Sequence, residues 1–134
     1  VREMVPVILA ETDPRRLVGH RVRLTRLLNE RFDDLLRVLR AAAPLEPDIA
    51  AALGEGHRRH RAGDERVVSQ LAALGALRPD LPPDVAAAFM GVLTSGEAYD
   101  ALTRAYGWSW DEVEGRTTAA LHHLLLAGPR PREA

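Results

Sequence analysis

Gly107-Trp108-Ser109-Trp110-Asp111-Glu112-Val113, with Leu121-His122-His123-Leu124-Leu125-Leu126 two turns further on, is the stretch on which the fold turns. The Ser109 side chain can accept the backbone N–H of Glu112 while Glu112 reaches back to Ser109, and Trp108 can pack on Val113 as a hydrophobic staple. Asp111 and Glu112 suit the positive end of a helix dipole. These signals predict a helix that starts at Trp110 and ends by Gly128-Pro129. Within it Trp110, Val113, Ala120, Leu121, Leu124, Leu125 and Leu126 cover more than the ~100° stripe of a one-sided surface helix. Two faces therefore need burial, and a domain this small has limited interior. The second face is expected to pack on another copy of the chain through Trp110, Val113, Thr117, Ala120, Leu121 and Leu124. A single-chain core that takes both faces is the competing reading.

Working outward, Pro and Gly divide the rest into helical segments. Asp13-Pro14 offers a capping side chain followed by Pro at the first helical position. From there Leu17, Leu24, Leu28, Phe32, Leu35, Leu36 and Leu39 recur at helical steps up to Ala41-Ala42-Ala43, before Pro44. A second long helix is expected from Asp48 to about Leu77, with a kink, a break or a close contact where Gly54, Gly56 and Gly63 flank His57-Arg58-Arg59-His60-Arg61. Pro83 opens a third, with Val85, Ala86, Phe89, Val92 and Leu93 as its apolar face. Thr94 with Glu97 fits a capping box that restarts a helix through Ala98, Leu102 and Ala105.

Composition agrees with this. The 134 residues suffice for one domain. Their apolar content is 21 Ala and 20 Leu against 13 Val plus Ile, a balance that favours helix over sheet. The fold class is therefore all-α, a bundle of four to six helices whose C-terminal helices form a dimer interface, spanning residues 1–128. Residues 129–134 are expected to be a disordered tail. Residue 1 is Val, so a piece of a longer protein is expected.

Several functions are excluded or weakened. The net charge is −1 and the halves carry +2 (residues 1–66) and −3 (67–134), so neither half resembles a nucleic-acid-binding surface. Without cysteine there is no disulfide framework or thiolate chemistry, in keeping with a cytoplasmic location. No apolar run is long enough for a membrane span. The three serines, Ser69, Ser95 and Ser109, lie in no nucleophile elbow, and the absence of Lys removes any phosphate loop with its following Lys. The chain is expected not to be an enzyme, with no catalytic residues and no cofactor. His57 and His60, three apart, could face one metal given a third ligand, but none is indicated, and a solvated basic face is the preferred reading; no metal site is assigned. His122 and His123 point about 100° apart and cannot easily share a site.

Ala76-Leu77-Arg78-Pro79-Asp80-Leu81, then Leu93-Thr94-Ser95-Gly96-Glu97-Ala98-Tyr99, then Gly107-Trp108-Ser109 and the terminal helix with Glu114 and Leu121 to Leu125 resemble the C-terminal ligand-binding and dimerisation domain of the tetracycline-repressor (TetR) family of transcriptional regulators. Ala10 to Arg16 and Gly56 to Asp64 share the likeness, which covers nearly the whole chain. The resemblance implies a homodimer through the last two helical segments, Val85 to Tyr106 and Trp110 to Ala127. It also implies a pocket for a small, mostly apolar effector, with Leu24, Leu28, Phe32, Gly56, His60 and Phe89 as candidate ligand-binding residues. Such regulators begin with a helix-turn-helix domain of about fifty residues, for which there is no room before Asp13. Operator DNA would be reached only through that missing N-terminal domain, and Val5 to Ala10 would be the stub of a connecting helix. The rival reading is a standalone helical dimerisation module without a ligand, whose interior would be filled.

Overall fold

The computed structural model describes residues 2–128; the tail expected over 129–134 lies outside them. The described chain is all-helical, in the order α1 (Met4–Ala10), α2 (Pro14–Arg31), α3 (Asp33–Ala42), α4 (Pro47–Ala73), α5 (Pro83–Leu93), α6 (Gly96–Asp100) and α7 (Trp110–Leu125). A π-helical turn, Ala101–Ala105, continues α6. α2 and α3 are one helix bent at a single residue, so the bundle contains six helical units, as its sequence class requires.

That bend falls where one straight helix was expected. Phe32 leaves the helical region at φ −109° and ψ 16°, yet its N–H still reaches Leu28 O and its carbonyl still accepts from Leu36 N–H. Asn29, Glu30, Asp33 and Asp34 surround it, and the two aspartates form a new first turn. α3 turns aside with no fully buried residue.

α4, in contrast, runs unbroken for 27 residues through its glycines. Of the three outcomes expected there, the close contact is found: a Cβ on Gly63 would lie 2.8 Å from both terminal guanidinium nitrogens of Arg21. The helix ends at Gly75, whose φ of +66° lets its N–H bond Ala72 O and the next N–H bond Leu71 O, closing the last turn.

α4 packs chiefly on α5, and α2 on α7. Leu17, Val18, Val22 and Leu24 of α2 meet Val67, Val68 and Leu71 of α4, Ala86 and Met90 of α5, and Leu121 and Leu125 of α7 in one core, closed by Ile8 of α1. The Ser109 capping box forms in both directions. The Arg116 guanidinium covers Trp108, 4.6 Å from its ring centre. At the far end of α7 an isolated antiparallel bridge, Leu77 to Leu126, ties the chain after α4 to the chain after α7.

The restart after α5 differs by one residue from the expected cap. Ser95, not Thr94, accepts the Ala98 N–H at the head of α6. Thr94 is fully buried and donates its hydroxyl back to Met90 O at 2.7 Å, a bond that removes it from capping and turns it towards α4.

Candidate functional site

Small residues on α5 open a groove against α4. Ala87, Ala88, Gly91 and Val92 form one wall, His57, His60, Arg61, Glu65, Val68 and Ser69 the other, and Pro83, Asp84, Ser95 and Glu97 the ends. Its cavity volume is about 810 Å³, within the range of small-molecule sites.

Below the groove lies a polar floor that crosses three helices. Arg21 of α2 donates through Nε to Asp64 Oδ1 at 2.9 Å and through a terminal nitrogen to His60 O at 2.9 Å. Both charged side chains are almost wholly buried. Gly63 makes the crossing possible, because only a residue without Cβ leaves room for the guanidinium against α4. Burial pushes the Asp64 carboxyl above the usual aspartate range, opposed chiefly by the nearby Arg21 guanidinium. Asp64 Oδ2 lies 3.1 Å from His60 Nε2 but has no aligned donor. It also sits beneath Gly91, where a Cβ would come within 3.2 Å of it.

The His60 ring is fixed by the same floor. Its Nε2 has Asp64 Oδ2 at 3.1 Å, Thr94 Oγ1 at 3.2 Å and Gly91 O at 3.3 Å. Carboxylate and carbonyl oxygens only accept, and the Thr94 proton is committed to Met90 O, so the ring proton belongs on Nε2. Next along α2, Thr25 Oγ1 and Tyr99 Oη share a hydrogen bond of 2.8 Å, and burial pushes the Tyr99 phenol up to about 12.

Of the six candidate ligand-binding residues, His60 lines this groove. Leu24 is buried in the core and Leu28 packs against it. Phe32 is exposed at the α2–α3 bend, Gly56 is exposed with nothing near its Cβ position, and Phe89 is exposed on α5 outside the groove lining. Sequence reasoning missed Arg21, Asp64 and Thr94. Asp64 had a usable signal, lying four residues after His60 and so on the same helical face. Arg21 had none, being one arginine among many.

The six candidate interface residues divide in the same way. Val113, Thr117 and Leu121 recur every fourth residue and are buried inside the single chain, on the side of α7 that meets its own core. They are therefore not on the surface available to a second copy. Trp110 is half-buried, edge-on to Tyr99 with ring centres 6.3 Å apart. Ala120 and Leu124 are exposed. On α5 Val85, Phe89 and Val92 form a second exposed apolar stripe.

His57 stands 3.6 Å from Glu97. Among the described residues no three His, Asp or Glu side chains gather to hold a metal ion, and no helix is long and apolar enough to cross a membrane. Comparison with protein-family models, with curated proteins and with solved structures gives no match.

Proposed function

We propose that this chain is the effector-binding and dimerisation domain of a cytoplasmic transcriptional regulator of TetR type, and that the α4–α5 groove is its effector site. The observation that carries the reading is the groove itself: a mostly apolar cavity of about 810 Å³ over an ordered polar floor. An open groove favours this reading over a dimerisation module with a filled interior. The exposed Val85, Phe89 and Val92 on α5, with Leu124 on α7, support a twofold partner across these two packed helices. In a regulator of that type, operator binding belongs to a separate DNA-reading domain.

The role is binding and not catalysis. His60, Asp64 and Thr94 have the residue types of a nucleophilic triad, but Thr94 and Asp64 meet the same ring nitrogen, Nε2. A triad needs the carboxylate on one nitrogen and the hydroxyl on the other. Thr94 is moreover fully buried.

The test is a thermal-shift screen of the full 134-residue chain with small apolar aromatic molecules, repeated on Ala88→Trp, which fills the groove from its exposed wall. A binder raises the melting temperature of the parent by mass action and leaves the variant unchanged. Stabilisation that survives the filled groove refutes the site.

A further inference from the structure

Resting on the assignment of the groove as an effector site, we infer that its ligand class is a lipophilic weak acid, an apolar body carrying a carboxylate or comparable acidic group held by His60. The two ring nitrogens of His60 differ in their surroundings. Nε2 faces three oxygens of the floor and carries the proton, while Nδ1 makes no hydrogen bond among the described residues and the ring is a quarter exposed at the groove wall. In the neutral ring Nδ1 is a bare lone pair, an acceptor for a proton.

Asp64 Oδ2 lies 3.1 Å from Nε2, so an imidazolium formed when Nδ1 takes a proton stands against a buried carboxyl group. Arg21 and Asp64 already balance one another, so a protonated His60 adds one positive charge beneath an apolar cavity. An anionic ligand group at Nδ1 cancels that charge, whereas an ammonium ligand doubles it. Asp64 itself is not reached from the groove, because Gly91 and the His60 ring cover it. The other charged groups that line the groove are open to water: His57, Arg61 and Glu65 on α4, Asp84 on α5 and Glu97 on α6. Solvent screens them more than the buried trio.

Proton accounting follows directly. An acid that arrives ionised draws one proton from solvent onto Nδ1; an acid that arrives neutral passes its own proton to Nδ1. In both cases the complex is imidazolium and carboxylate, between Asp64 and the apolar walls.

The experiment compares three probes of one shape, 2-naphthoate, 2-naphthamide and 2-naphthylmethylammonium, by calorimetry on the full chain and on His60→Gln. Naphthoate is expected to bind at least about tenfold more tightly than the amide near neutral pH, as a charge-assisted bond requires. Its affinity falls as pH rises while that of the amide stays flat, because the naphthoate complex holds a proton that the amide complex does not. Titrations in two buffers of different ionisation enthalpy show net proton uptake with naphthoate. H60Q abolishes the uptake and the pH slope and brings acid and amide together. Equal binding of all three probes, or preference for the ammonium, overturns the acid assignment and leaves the groove as a ligand site. Failure of all three to bind overturns the groove and the inference with it. The uptake measured on the parent chain does not depend on any variant folding.

Discussion

Replacing Gly63 by alanine and Gly56 by alanine makes the same chemical change in the same helix with opposite expected signs. At Gly56 a Cβ meets nothing within 4 Å, and the position is exposed. The only effect is the loss of glycine's conformational freedom in the unfolded chain, so G56A stabilises by about 0.5–1 kcal/mol. G63A gains the same amount, but its Cβ would lie 2.8 Å from two Arg21 nitrogens and 3.0 Å from Cζ. The guanidinium must tilt away, which strains or breaks the 2.9 Å bonds to Asp64 Oδ1 and His60 O. Asp64 is then left buried with neither oxygen paired. Full loss of one partner of a buried ion pair costs about 3–5 kcal/mol. Because the side chain is flexible and relaxes in part, a net destabilisation of about 1–3 kcal/mol is expected for G63A. Urea unfolding followed by far-ultraviolet circular dichroism checks this, with all chains at one fixed concentration because a dimer's midpoint depends on it. A G63A chain as stable as G56A would refute the claim that Arg21 needs this gap.

Three further outcomes follow from separate parts of the molecule. Burial raises the Tyr99 phenol from 10 to about 12, so the stability it contributes is complete below the ordinary phenol range and is lost as pH climbs through the folded value. Ultraviolet titration of the parent minus Tyr99→Phe should place the missing phenolate signal near 12, and a step near 10 with the fold intact would contradict the burial. Ser109→Ala removes the acceptor for Glu112 N–H and should lower stability by about 1 kcal/mol in chemical unfolding, with no change beyond error refuting the cap's contribution. Phe89→Arg places charge on the exposed stripe of α5 and should weaken self-association at least about tenfold in sedimentation velocity. A parent chain that sediments as a monomer at micromolar concentration removes the dimer proposal altogether.

What the sequence made legible follows from the length scale of each interaction. The Asp13 and Ser109 caps, the glycine stop at Gly75 and the proline starts are contained within a few residues, and each forms as read. The Phe32 bend was masked because the apolar spacing continues across it, and periodicity registers faces better than axis direction. Likewise the wide apolar arc of α7 did not reveal which part faces inward. The Val113–Thr117–Leu121–Leu125 row takes the core, and the small or exposed residues are left outside. The groove floor was hidden for a different reason. Arg21 and Asp64 are 43 residues apart, and nothing local separates a buried arginine from its exposed neighbours Arg16 and Arg23.

The two walls of the groove are held by different contacts, and this bears on how an effector could be felt at a distance. The α4 wall is tied to α2 by Arg21, which grips both Asp64 and the His60 carbonyl, and α2 in turn packs along α7. The α5 wall presents Ala87, Ala88 and Gly91, and its polar contact with α4 passes through His60, which reaches Gly91 O and Thr94 at 3.3 and 3.2 Å. On the proposed reading, a ligand seated between them and bonded to His60 would act directly on the contact between α4 and α5. α5 also touches α7 and carries the exposed Val85–Phe89–Val92 stripe. On the proposed reading, a displacement of α5 would alter the surface through which two copies meet. The ligand can bias that arrangement only by its difference in affinity for the two positions of α5, typically about 1–3 kcal/mol. The coupling should then depend on His60 more steeply than affinity for the apolar walls does. His60→Gln would thus uncouple ligand from dimer geometry even where the naphthyl body still binds.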